Sequence, residues 1–486
     1  MTKGVFWNLC ERFSSQIVGF AVSIVLARLL TPSAYGVVAL TTIFINACRF
    51  LIDSGFAASL IQKKDVRPID YDSVFYFNIV TSALLYGALF ALAPCIAEFY
   101  HEPQLCSVLR VVAISVPLMA INAVQLSVMM KEMRFHLGFR LNLVKCISQP
   151  SVGIPMAYCG YGVWALVISE LVSSFLVVLF TWFWIGWRPH LAFSFRALKG
   201  LMSFGWKIFA SGLFGIFYNN FYDVMVGRFY TAADLALYNK GRTFPHMAMS
   251  SVESSVTTVV FPALSSIQDN AAQLLHAMRK MVRIANVATM PVLALIAGCA
   301  SPLVHAVLGE RWLSAAPYVQ LGCLVYFLFP LGVITTQATK AVGRSDVVLY
   351  KGILFGVANI VVIVACHRLG ALTMAIGISI AFGPFVQLVH ALFARFVLKY
   401  SLRTQLADVF PAAFISLSVY VFMLTFGHYC VVANPWGQLA VQGACGFAFA
   451  CVLLLALRPK GLKEFLVVRP IVKPRVAARI QRWLCQ

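Results

Sequence analysis

Apolar residues along this chain come in long continuous blocks, without the period-two alternation of strands or the narrow stripe of a soluble amphipathic helix. A helix crosses the hydrocarbon core of a bilayer with about 20 apolar residues. Proline, glycine and charge clusters mark off fourteen blocks of that size: 9–30, 36–61, 73–97, 105–130, 137–159, 162–187, 200–226, 234–264, 281–308, 313–338, 347–368, 371–397, 405–428 and 436–457. The pattern predicts an all-α integral membrane protein of about 14 transmembrane helices. No polar or charge-rich stretch long enough for a linker or an extramembrane domain interrupts the blocks. The first block lacks a small-residue cleavage site and is expected to be retained.

Composition agrees: 61% of the 486 residues are apolar or aromatic and 11% are charged, against about 45–50% and 25% in soluble domains. An ordinary soluble enzyme is excluded. The net charge of +21 would suggest nucleic acid in a soluble chain, but the basic residues sit in short clusters between apolar blocks. That is the signature of topology and of attraction to anionic lipid headgroups, so membrane lipids and no nucleic acid are expected as partners. With a cytoplasmic N-terminus, 28 of the 38 basic residues fall at cytoplasmic block ends and 5 at outer ends. The remaining five, Arg49, Lys145, Lys207, Lys240 and Arg242, fall within spans. Both termini are therefore expected in the cytoplasm. The basic tail, residues 459–486, is loosely amphipathic and is expected on the inner leaflet.

The two halves resemble each other at offsets of about 200 residues. Val25 to Val38 reads VLARLLTPSAYGVV and Met225 to Tyr238 reads MVGRFYTAADLALY, aligning Arg28 with Arg228 and Thr31 with Thr231. Ser59-Leu60-Ile61-Gln62 likewise matches Ser265-Ser266-Ile267-Gln268. Parallel internal repeats of this kind are typical of secondary transporters. The expected organisation is a six-helix lobe over 1–195, a second over 196–400, a helix pair over 401–458 and the tail.

Several stretches carry a family resemblance: Gly4-Val5-Phe6-Trp7, Glu11-Arg12-Phe13, VSIVLARLLTPSAYGVVAL, DSGFAASLIQKKD from Asp53 to Asp65, Phe261 to Gln268, Leu308-Gly309-Glu310-Arg311-Trp312 and Ala341 to Asp346. Together they resemble the polysaccharide-exporter family, the lipid-linked oligosaccharide flippases of the O-antigen, colanic-acid and teichuronic-acid type. The resemblance implies the fold of the multidrug, oligosaccharidyl-lipid and polysaccharide exporter superfamily, two six-helix bundles with an optional final pair. It also implies translocation of an undecaprenyl-diphosphate oligosaccharide across the bacterial inner membrane, beside the polysaccharide polymerase machinery. The alternatives are a multidrug and toxin exporter, which favours an acidic cavity, and a polymerase or scaffold subunit of the same pathway.

Charge at mid-membrane needs a partner or a wet cavity. Arg49 and Asp53 are one helical turn apart, spacing that suits a structural ion pair or a lumen-facing guanidinium for diphosphate. Lys145 and Glu170 lie on consecutive antiparallel blocks and are expected to pair. The run Tyr218-Asn219-Asn220-Phe221-Tyr222-Asp223 and the run Tyr238-Asn239-Lys240-Gly241-Arg242 are the most polar spans. Candidate cargo-binding residues are therefore Arg49, Lys207, Asn219, Asn220, Lys240 and Arg242, expected between the lobes because the resemblance places their helices there. The alternative is that each cation is locked to a carboxylate, Arg49 to Asp53 and Lys240 to Asp223. Any H+ or Na+ coupling is expected to pass through Asp53, Glu170, Asp223 or Glu253. No catalytic residue, metal site or cofactor is expected: there is no phosphate-binding G-x-x-x-x-G-K-[ST] loop, and no histidines pair at ligand spacing.

Overall fold

The computed structural model describes residues 18–53, 56–63, 65–255 and 260–468. The described chain is helical throughout: α1 (Val18–Leu29), α2 (Pro32–Asp53), α3 (Phe56–Gln62), α4 (Pro68–Phe99), α5 (Pro103–Val112), α6 (Ser115–Lys131), α7 (Phe135–Tyr158), α8 (Val163–Trp184), α9 (Phe195–Phe229), α10 (Ala232–Ser255) and α11 (Phe261–Ser265). Then follow α12 (Ala271–Gly298), α13 (Ala300–Leu308), α14 (Ala316–Tyr326), α15 (Phe329–Ala341), α16 (Ser345–Cys366), α17 (Ala371–Gly377), α18 (Gly383–Leu398), α19 (Leu402–Tyr429), α20 (Pro435–Leu457) and α21 (Lys460–Val468). Ten stretches among the described residues are helices long and apolar enough to cross a membrane. The chain is a multi-pass membrane protein. The motifs before residue 18 and the tail after residue 468 lie outside the described residues.

The chain divides into two compact units, Met1–Ala236 and Leu237–Gln486. In the first, α9 packs on α2, α3 and α4, so the helix expected to open the second lobe belongs by its contacts to the first. Ile45, Cys48, Ile52, Leu89, Val116 and Ala120 close the centre of this unit. Around Phe75 an aromatic cluster gathers Trp182 and Trp187. Helices α7 and α8 form a tight hairpin held by small residues: Ser169 and Ser173 are fully buried, and a Cβ added at Gly153 would lie 3.1 Å from the Ser169 hydroxyl. Lipid tails compete poorly with such close backbone approach, which is why small side chains hold membrane helices together. The second unit is centred on α12, whose buried residues Leu274, Met278, Val282 and Met290 pack with α15, α18 and α19.

The repeat read from the sequence recurs in the backbone. Thr31 Oγ1 accepts from the Ala34 amide at 3.4 Å at the start of α2, and Thr231 Oγ1 accepts from the Asp234 amide at 3.2 Å at the start of α10. In the second case the Asp234 carboxylate returns to the Thr231 amide at 3.1 Å, completing a capping box. Left-handed residues follow α6 at Met133 and α15 at Gly343, and glycines with positive φ precede α8 at Gly162 and α17 at Gly370. Helix ends therefore recur at offsets of 200 to 210 residues, the register of the sequence match.

Candidate functional site

In the first unit, Lys145 on α7 and Glu170 on α8 form an ion pair at 2.9 Å, and the Gln149 amide donates to the second carboxylate oxygen at 3.1 Å. The expected pair is therefore present. It borders a cavity of ≈ 250 Å³ lined by Val22, Tyr35, Asn142, Lys145, Gln149 and Pro150, among others. Pro150 has no amide hydrogen to give the carbonyl of Cys146, so a backbone acceptor is released beside Lys145. Both charged side chains remain over a third exposed, at 44% and 38%, so the pair is not sealed in a core, and Lys145 itself lines the cavity.

Arg49 and Asp53, by contrast, are both exposed, and among the described residues no ion pair joins them. The one-turn spacing permitted a salt bridge that the side chains do not make. Asn220 and Asp223 are half-buried on α9. Asp223 lies near enough to Tyr100, between α4 and α5, for its charge to add to burial, which is the main cause holding that phenol at about 12. Lys207 and Asn219 lie outside the residues whose side chains the structure describes.

In the second unit, Lys240 and Arg242 are half-buried on α10 and Glu253 is exposed. The Arg242 guanidinium donates to the Tyr238 hydroxyl at 2.8 Å and lies 5.1 Å from the centre of that ring. Tyr238 meets Tyr318 of α14 edge-on at 5.9 Å, and two turns along His246 meets Tyr326 at 6.2 Å. Glycines allow this approach: a Cβ at Gly241 would lie 2.5 Å from that of Tyr318, and one at Gly322 would lie 2.8 Å from Pro245. The partners keep a near-constant spacing in sequence, so α10 and α14 run parallel here. The result is a stripe of Tyr238, Arg242, His246, Tyr318 and Tyr326, in which a planar cation lies among aromatic faces. Tyr238 and Tyr318 are themselves buried, so what this arrangement offers a ligand is the half-buried guanidinium, whose geometry suits phosphate. Sequence reading found Tyr238 and Arg242 but missed Tyr318 and Tyr326, which nothing in α14 alone distinguishes from interfacial tyrosines.

A second charged cluster was also missed. Asp408 on α19, its side chain 5% exposed, accepts from Arg279 at 2.7 and 3.1 Å, from Arg283 at 3.0 Å and from the Tyr400 hydroxyl at 2.9 Å. Burial first, and then the Asp408 charge, raises the Tyr400 phenol far above its ordinary range, so it remains a donor. Arg283 pairs in addition with Glu464 of α21. The described part of the tail is therefore docked on α12. Gly461 makes this possible, since a Cβ there would collide with the Arg283 carbonyl. Arg279 and Arg283 had been read only as topology signals. Finally, α12, α14, α17 and α19 border an open apolar groove of ≈ 640 Å³ lined by Leu293, Leu324, Phe410, Phe414 and Tyr420, among others.

Residues 25–317 match the family described as "Polysaccharide biosynthesis protein". The chain belongs to that family. Over 430 residues it is 24% identical to the teichuronic acid biosynthesis protein TuaB of Bacillus subtilis, covering 86% of this chain and 87% of that one. It is 22% identical over 364 residues to the succinoglycan biosynthesis transport protein ExoT of Rhizobium meliloti, covering 74% and 73%. The fold is shared with the lipid II flippase MurJ in an inward closed conformation, at a TM-score of 0.75 and 12% identity over 93% of this chain and 98% of that one. The family resemblance expected from the sequence is thus established, and transporters share its fold.

Proposed function

We propose that this protein is a flippase that moves an undecaprenyl-diphosphate-linked oligosaccharide repeat unit across the bacterial inner membrane by alternating access, supplying surface polysaccharide synthesis. The observation that carries the reading is family membership, joined to similarity over about three quarters of both chains to a relative named as a transport protein. Site chemistry supports it. The Arg242 guanidinium suits a diphosphate, and the open apolar groove beside α19 suits a polyisoprenyl chain. In this reading Arg49, Lys207, Asn219 and Asn220 of the first unit and Lys240 and Arg242 of the second contact the cargo. The ion-coupling candidates are Asp53, Glu170, Asp223 and Glu253, of which Glu170 is paired with the cavity-lining Lys145. The helix count is fourteen, both termini are cytoplasmic, and the polysaccharide polymerase receives the product.

Deleting the gene tests this. Unpolymerised lipid-linked repeat units should accumulate on the inner face of the membrane. Accumulation on the outer face would assign the protein to polymerisation, and normal surface polysaccharide with raised sensitivity to cationic drugs would assign it to drug export.

A further inference from the structure

Lys351 had been counted among the basic residues that flank the blocks, yet it lies on α16 and is only 3% exposed. Its ammonium reaches the Thr336 hydroxyl of α15 at 3.4 Å and lies 6.0 Å from the centre of the Phe393 ring on α18. One turn further along α16, Phe355 packs on the His390 ring at 5.1 Å. Gly332, one turn from Thr336, admits His390 so closely that a Cβ there would lie 3.2 Å from Cδ2 and Nε2. Lys351 packs on α18 at Phe393, and His390, one turn earlier on α18, packs on Phe355, so the two bases are neighbours across the α16–α18 contact. Around them, His390 Nδ1, Gln387 Oε1 and Asn359 Oδ1 are buried atoms with no hydrogen-bond partner among the described residues.

The chemistry of the surrounding helices is one-sided. On α15 the only titratable side chain is Lys340, and on α18 there are His390 and Arg395. α17 and the π-helical turn Ile378–Phe382 have none. Besides Lys351, α16 carries Tyr350, Cys366 and Asp346, and Asp346 is already paired with Arg344 at 3.0 Å. Lys351 therefore has no carboxylate partner among the described residues. A buried ionisable group in a membrane helix marks an ion or proton pathway unless a partner neutralises it. A metal cation is disfavoured beside an ammonium, and packing this tight leaves no room for a sugar or a phosphate. A proton needs neither space nor an acid.

We propose that Lys351 and His390, with Gln387 and Asn359, form a proton-carrying site in the second unit, in which two neighbouring bases share one transferable proton. Hydronium gives its proton to the free lone pair of one base and becomes water, and in release the N–H bond breaks and the proton returns to water as hydronium. Two adjacent cations repel, so loading the second base is opposed by the first. The π-helical turn just ahead of α18 is a place where that helix can change its winding, and π-turns concentrate at functional sites. Movement of α18 against α16 would change the distance between the bases, and so couple proton release to conformation. This use of the site in coupled transport rests on the flippase reading; the proton site itself does not.

Two measurements test it. The first counts protons taken up by the full-length protein in phospholipid nanodiscs between about pH 9 and pH 5 with an indicator dye. K351M combined with H390Q should bind about one proton fewer per chain than wild type. The second measures surface polysaccharide and membrane abundance in the native host lacking its own copy. K351M and H390Q should each lower export at least about tenfold at normal abundance, an arbitrary threshold equal to one decade. K351R decides between readings: it keeps the charge but cannot release the proton, so it should be as inactive as K351M, whereas a structural ammonium would tolerate it. An unchanged proton count, or normal export by K351R, overturns the proposal. A reduced proton count with a wild-type copy that restores no polysaccharide leaves the proton site standing and sinks the flippase reading. If the double variant does not accumulate, K351R alone carries the test.

Discussion

Replacing Asp408 by alanine is the sharpest test of how the second unit is held together. The substitution removes four hydrogen bonds at once: two from Arg279, one from Arg283 and one from Tyr400. Breaking one partner out of a buried ion pair costs about 3–5 kcal/mol, mostly because the remaining charge is stranded. Two features place this case at the lower end: Arg279 is 33% exposed and can be solvated, and Arg283 keeps Glu464. The expected loss is about 3 kcal/mol, roughly two decades in the unfolding constant. Unfolding in mixed micelles of increasing sodium dodecyl sulfate, followed by tryptophan fluorescence, reads it. A cycle with R279Q should show that the double variant loses at least about 1 kcal/mol less than the two single losses added together. A loss below about 1 kcal/mol for D408A, or simple additivity in the cycle, would refute the buried-network account.

Four further outcomes follow from the same geometry. E464Q should leave α12 and α19 intact but release α21, so trypsin should cut at Lys460 and Lys463 several-fold faster than in wild type. E170Q should strand Lys145 beside its cavity and lower membrane abundance, and the K145M–E170Q double should recover it; no recovery would remove the pair from the structural account. T231A should cost about 1 kcal/mol through its helix cap, measured by the same micelle titration. R242K should export far less than wild type at equal abundance, because a lysine cannot both lie flat on Tyr238 and offer a fork to phosphate; export equal to wild type would remove Arg242 from the cargo site.

Legibility in this sequence followed the range of the forces. Apolar blocks report local burial in lipid, so the helices from Pro32 onward were readable in order, and Thr31 and Thr231 marked real helix starts because a cap needs only neighbouring residues. Lys145 and Glu170 were also readable, since consecutive antiparallel helices put them opposite each other. Pairs distant in the chain were not. Arg279 and Asp408 are 129 positions apart, and Arg283 and Glu464 are 181 apart, so each looked like an isolated basic or acidic residue at a block edge. Arg49 and Asp53 were left open between an ion pair and a lumen-facing guanidinium: helical spacing makes a contact possible without making it favourable where both side chains are exposed.

A common fold does not by itself say what is carried, because function resides in the side chains set on the fold. What distinguishes this chain is where charge is compensated and where it is not. Arg279, Arg283 and Lys145 each have a carboxylate and serve to hold helices together or to line a cavity with a neutral pair. Lys351 has none among the described residues, although it is only 3% exposed. Arg242 differs from these in holding its guanidinium against the ring and hydroxyl of Tyr238. An aromatic contact stabilises a guanidinium without changing its charge. Two basic sites in one unit thus have opposite requirements: Lys351 must be able to give up its proton, and Arg242 must never do so. Exchange of Lys and Arg at the two positions separates them. K351R and R242K should both abolish export, the first by fixing a charge that has to move and the second by losing the planar fork; if either exchange is silent, the role assigned to that residue is wrong.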